Sequence, residues 1–139
     1  MSCKQNSAKI TAVIAAGATN PYFVQVNISQ RLCSPACTEQ TPVFNPQFSL
    51  LSFSQVGTGQ YVATIHVEGL ISYVPQGGNN CCTRTQLLSQ NFTIPFVSAT
   101  APTSVTITAG TTVNAIEQVA CQCSSRDFVS ETPITLNVA

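Results

Sequence analysis

Seven cysteines are the residues of this chain best equipped to do chemistry: Cys3, Cys33, Cys37, Cys81, Cys82, Cys121 and Cys123. Thiols at such spacings can form disulfides, ligate a metal ion or act as nucleophiles. Seven is odd, so in an oxidising setting at least one thiol stays free or bonds to another molecule. Neighbouring cysteines bond to each other only through an unusual peptide, so Cys81 and Cys82 are expected to take different partners. In a strand, adjacent side chains point to opposite faces, which lets one of that pair face the interior and the other a neighbouring copy. Cys121 and Cys123 share one face if their segment is extended. Six of the seven can pair in fifteen ways, so spacing alone leaves the connectivity open. The expected arrangement gathers the Cys33/Cys37 loop, the Cys81/Cys82 loop and the Cys121/Cys123 segment at one end as internal staples. Cys3 and one of Cys81 or Cys82 are then expected to bond to other copies. A disulfide closing a long loop stabilises by about 3–4 kcal/mol where its geometry is relaxed.

The other chemistries are less well provided for. Cys33, Cys37, Cys81, Cys82, Cys121 and Cys123 could lend four thiolates to zinc, but no Cys-x-x-Cys knuckle occurs and adjacent ligands fit a tetrahedron poorly. No metal or cofactor is expected, and a thiol–zinc protein is kept as a rival reading. A chain with reduced thiols in a cytosolic setting is another. His66 is the only histidine and stands two residues before Glu68, so a strand would place both on one face. Catalysis through a Cys–His pair needs a cysteine held beside His66, and nothing in the sequence brings one there. Gly57-Thr58-Gly59 is too short for a phosphate cradle and precedes no helix. Asn27-Ile28-Ser29 and Asn91-Phe92-Thr93 fit the glycosylation sequon but fall inside expected strands. The expectation is a protein that is not an enzyme.

Composition narrows the partners. Five basic and five acidic residues cancel, and charged residues make up 7% of the chain, where about 25% is usual. Lys4, Lys9, Arg31, Arg84 and Arg126 are scattered, which argues against a nucleic-acid footprint. No apolar run reaches the length of a membrane span. Met1 to Ser7 is polar and lacks the apolar stretch of a secretory signal. An oxidising destination would then be reached without a visible signal, for instance by lysis of a mother cell. A weakly charged surface does little to keep copies apart. The expected partners are copies of the chain itself, with other cysteine-rich surface proteins beside them.

The elements that must position these residues are strands. At 139 residues the chain fits one domain, with residues 1–8 as an N-terminal arm. Eight prolines and seven glycines leave no room for long helices. Gln60 to Val74 alternates: Tyr61, Ala63, Ile65, Val67, Gly69, Ile71 and Tyr73 on one face, and a more polar set from Val62 to Val74 on the other. Gly69 suggests a bulge or bend. Residues 56–60 read as the turn joining this strand to Phe48–Phe53. Further strands are expected at Ile10–Ala15, Tyr22–Ser29, Thr85–Ile94, Ser104–Thr108, Val113–Cys123 and Ile134–Val138, with prolines at their joints. Cys33 to Cys37 and the Gln76–Asn80 run before Cys81 read as loops. The fold class is all-β, a single antiparallel β-sandwich of about seven or eight strands, jelly-roll or Ig-like.

Several pieces carry a family likeness. They are Val67-Glu68-Gly69-Leu70-Ile71-Ser72-Tyr73-Val74-Pro75, Asn91-Phe92-Thr93-Ile94-Pro95-Phe96, Val105-Thr106-Ile107 and Pro133-Ile134-Thr135-Leu136-Asn137-Val138. From Gln60 to the end, this order resembles the SPOCS-type β domain of bacterial spore coat and exosporium proteins. The chain departs from that domain in its many cysteines and few charges, and the first 42 residues lie outside the resemblance. The likeness implies a structural role at the spore surface and brings no catalytic residue with it. In design alone, the chain is also similar to endospore appendage subunits, which join a small β-sandwich to an N-terminal cysteine arm. The expected function is a structural subunit that self-assembles into a disulfide-cross-linked spore-surface layer or extracellular filament. The rivals are a β-sandwich binding, adhesion or phage decoration module and the thiol–zinc protein.

Overall fold

In the computed structural model, residues 7–15, 17–37, 40–75, 83–116 and 124–139 are described, with the backbone alone at 37 and 124–126. The described residues form nine strands: β1 (Lys9–Val13), β2 (Tyr22–Cys37), β3 (Val43–Phe44), β4 (Gln47–Gly57), β5 (Gln60–Tyr73), β6 (Arg84–Val97), β7 (Val105–Ala109), β8 (Val113–Ile116) and β9 (Ser124–Val138). They make two antiparallel sheets in a sandwich-like fold. In the first sheet β1 pairs β2 and β2 pairs β9, whose other edge takes β7 and β8 in series. In the second sheet β5 is central. β6 runs along one edge of it, and β4 followed by β3 along the other.

The alternation read in the sequence builds the core. Tyr61, Ala63, Ile65, Val67, Ile71 and Tyr73 are all buried on the inner face of β5. Leu88, Phe92, Ile94 and Phe96 of β6 join them, opposed by Val24, Val26, Ile28 and Leu32 of β2 and Phe128, Ile134 and Leu136 of β9. Each fully buried aliphatic side chain contributes about 1.5–3 kcal/mol of hydrophobic stabilisation. Phe44 and Phe128 meet edge-to-face across the sheets with ring centroids 5.5 Å apart. The β4–β5 hairpin turns at Thr58 and Gly59, where Gly59 takes a positive φ of 70° that suits a residue without Cβ.

Several elements exceed their sequence reading, and prolines are the reason. Pro95 was expected to end its strand, yet β6 continues through it to Val97. Among the described residues β6 pairs only with β5, so a proline without an N–H is tolerated on its outer side. Pro133 lies inside β9, which begins at Ser124 rather than at Ile134. β7 ends opposite Ile134 and β8 begins opposite Glu131, so Pro133 faces the gap between them. Its carbonyl accepts from Gly110 N at 2.8 Å there. The extra strand, β3, is two residues long and too short to give a periodic signal.

Gly69 is neither a bulge nor a bend toward β6, since the β5–β6 register runs unbroken from Gln60 to Tyr73. What requires glycine is close approach. A Cβ there would lie 2.7 Å from Phe44 Cε1 and 3.3 Å from the Asn45 carbonyl oxygen. Residues 33–37, expected as a loop, belong to β2. The pairing there is irregular and forms a bulge. Arg31 pairs Asp127 and Ala36 pairs Ser125, so Leu32, Cys33, Ser34 and Pro35 stand against Arg126 alone.

Candidate cross-linking end of the sandwich

The cysteine-bearing segments attach to strand ends that lie together. Cys37 closes β2 opposite Ser124, the residue after Cys123. Ala36 forms a bridge to Pro75, which leads into the segment holding Cys81 and Cys82. Tyr73 pairs Arg84, the first residue of β6 after that segment. β1 begins at Lys9 opposite Ser29 and runs antiparallel to β2, so its N-terminal end faces the Cys33 end of β2. Cys3, Cys81, Cys82, Cys121 and Cys123 themselves lie outside the described residues, as do residues 1–6 of the expected arm and the end of the expected 113–123 strand. β8 closes at Ile116.

Cys33 is disulfide-bonded and half-buried. Its position is fixed by neutral side chains of the opposite sheet. Gln86, buried on the inner face of β6, accepts from Cys33 N through Oε1 at 2.9 Å and donates to Arg31 O through Nε2 at 3.1 Å. One side-chain amide thus does what a neighbouring strand would do for two backbone groups at the bulge. Gln30 Nε2 also donates to Arg31 O at 3.1 Å. The Ser34 and Tyr73 hydroxyls meet at 3.0 Å, a second tie from the bulge to β5. Four residues up β6, Gln90 repeats the device. It accepts from Ala8 N at 2.8 Å and donates to Ala8 O at 2.7 Å, holding the chain just before β1. Gln86 and Gln90 were not singled out as site residues. The signal was available: both fall on the face of β6 that otherwise carries Leu88, Phe92, Ile94 and Phe96, and an amide in an apolar row needs a partner.

His66 and Glu68 do share the outer face of β5, 3.6 Å apart between Nε2 and Oε1. His66 Nδ1 is 2.6 Å from Asn91 Oδ1, and Ser89 Oγ is 3.2 Å from His66 Nε2 and 3.1 Å from Glu68 Oε1. The order serine, imidazole, amide has the outline of a nucleophile, its base and an orienting group. Ser89 has a single proton, however, and Glu68 competes with His66 for it. No cysteine side chain is described beside the imidazole. Among the described residues, no group of three or more His, Cys, Asp or Glu side chains is gathered as metal ligands.

The outer faces of the two sheets differ in charge. On the first sheet, Lys9, Arg31, Asp127 and Glu131 point outward. On the second, Glu68 is the one formally charged residue on the outward-facing positions of β3, β4, β5 and β6. Toward the cysteine end this face carries Val43, Leu70 and Leu87, 56%, 56% and 46% exposed, with Leu70 and Leu87 directly paired.

No family model, curated protein or solved structure matches this chain.

Proposed function

We propose that this protein is a non-enzymatic structural subunit that associates with copies of itself and is then locked by disulfides at one end of its sandwich. The observation that carries this reading is the convergence of the strand ends flanking every cysteine-bearing segment, next to a sheet face with one carboxylate and an apolar cluster. Copies meeting through that face would bring several thiols close together. An odd cysteine number leaves at least one for a bond outside the chain. The outer edges of β4 and β6 also present backbone groups that a neighbouring copy can pair with. The resemblance of residues 60–139 to spore coat and exosporium β domains points to the same class of role, a covalently reinforced spore-surface layer or extracellular filament.

The test is electrophoresis of natively assembled material with and without reductant, with free thiols mapped by mass spectrometry. The expected result is a ladder of multimers that collapses to 14.7 kDa on reduction, with mapped peptides joining different copies. A monomer in both lanes removes disulfides between copies from the mechanism. In that event, one zinc per chain would favour the thiol–metal protein, and fully paired internal cysteines the binding module.

A further inference from the structure

At the end of the sandwich away from Cys33, the sheets part around a cavity of about 560 Å3. Small-molecule sites usually measure roughly 300–1,000 Å3. Its floor is formed by the edges of three buried rings, Tyr22, Tyr61 and Phe96. Phe96 stacks on Tyr61, with centroids 5.6 Å apart and planes 21° from parallel, and meets Tyr22 at 6.3 Å in a tilted contact. Ile14 and Val97 add aliphatic surface, and Ala18 stands at the exposed rim. No Asp, Glu, Lys, Arg or His lines the cavity among the described residues.

The two tyrosines are used differently. The Tyr22 hydroxyl donates to the Val97 carbonyl, which spends its proton and pins β2 to β6. Tyr61 is 7% exposed, yet its hydroxyl has no hydrogen-bond partner among the described residues. Among the described residues, the fully enclosed polar atoms without a partner are Asn114 Oδ1 and Ser130 Oγ, so the Tyr61 oxygen is not sealed from solvent. The phenol oxygen is therefore reached by solvent, on a ring that lines the cavity. A solvent-reached hydroxyl without a protein partner can bond a ligand.

We infer that this cavity binds an uncharged, largely apolar small molecule that carries one polar atom for the Tyr61 hydroxyl. The mixed aliphatic and ring-edge lining supplies apolar contact, and the phenol fixes orientation. An ion is excluded on physical grounds, because its desolvation would find no opposite charge in the wall. The site is independent of the cysteine chemistry, which lies at the other end of the molecule.

The experiment is a fluorescence titration of the intact protein with N-phenyl-1-naphthylamine, whose N–H can donate to Tyr61 Oη. Its sulfonated analogue, 8-anilinonaphthalene-1-sulfonate, serves as the charged control. The expected result is one neutral probe per chain, with the sulfonate at least about tenfold weaker. Tyr61→Phe keeps the ring and loses the hydroxyl, and should weaken the neutral probe about two- to tenfold. Ala18→Phe, a change at an exposed rim position, should weaken it by about tenfold or more through occlusion of the mouth. Unfolding curves confirm that both variants are folded. Absence of binding, equal binding of the two probes, or unchanged affinity in both variants would each overturn the inference. So would loss of multimers in Ala18→Phe, which would make a neighbouring copy the occupant.

Discussion

Replacing Gln86 by alanine should be among the most damaging single changes that leave the aliphatic core intact. Gln86 is 4% exposed and makes two bonds to the β2 bulge. Its loss strands the Cys33 N–H, which the bulge has already taken out of register with β9. A buried donor left without a partner costs about 1–3 kcal/mol. Arg31 O keeps the bond from Gln30, so its loss is one ordinary hydrogen bond, about 1 kcal/mol. Together these predict a destabilisation of about 3 kcal/mol, or a Tm lower by about 10 °C for a domain of this size. Gln86→Leu fills the same volume without hydrogen bonding and should lose nearly as much, which separates the polar contribution from a cavity. Urea unfolding of both variants beside the wild type, with disulfides intact, measures this. If both lie within about 0.5 kcal/mol of wild type, the amide does not hold the bulge and the account of how Cys33 is positioned fails.

Other perturbations follow from the same geometry. Gly69→Ala should destabilise by about 1–3 kcal/mol, because its Cβ would meet Phe44 Cε1 at 2.7 Å beside the Asn45 carbonyl; thermal unfolding reads this directly. Cys33→Ser should lower stability by about 2–4 kcal/mol in oxidising buffer and by much less with excess reductant, and equal losses in both buffers would mean that packing rather than the disulfide matters. Leu70→Lys should leave unfolding within about 0.5 kcal/mol of wild type while reducing the yield of multimers; an unchanged yield would remove this sheet face from the proposed contact.

The sequence made the centre of the fold legible because one strand obeys a strict period of two. The burial of Tyr61, Ala63, Ile65, Val67, Ile71 and Tyr73 follows the reading of β5, and the Gly59 turn sits where the glycines placed it. Strand limits were harder, since proline is a local signal and its cost depends on neighbours the sequence does not display. Pro95 is harmless on an edge, and Pro133 is harmless in the gap between β7 and β8. Gly69 shows the same limit: a residue forced by contact with Phe44, distant in sequence, looks identical to one forced by backbone conformation. At the cysteine-bearing end the cysteines were visible at once, but the side chains that position Cys33 were not. Gln86 and Tyr73 lie 53 and 40 residues beyond Cys33 in the chain, and only the pairing of β5 with β6 brings both to the bulge (86 − 33 and 73 − 33).

The scarcity of charge has two physical readings, and its distribution separates them. Neutral amides make many of the polar contacts that close this fold: Gln86 on the bulge, Gln90 on Ala8, Asn20 on Val138 and Asn114 on Phe44. Amides cost less to bury than ion pairs, so a chain that ties its sheets together this way needs few charges for its own stability. Low charge alone is therefore weak support for association. An economy of that kind, however, would thin charges evenly over the exterior. Instead Lys9, Arg31, Asp127 and Glu131 stand outward on the first sheet, while the second keeps Glu68 alone beside Val43, Leu70 and Leu87. A single carboxylate adds little repulsion between two such faces, and the apolar cluster gains by leaving water. The asymmetry between the two faces, more than the total, is what supports a contact surface on the second sheet. It also makes Leu70→Lys a sharper test than any change of net charge elsewhere.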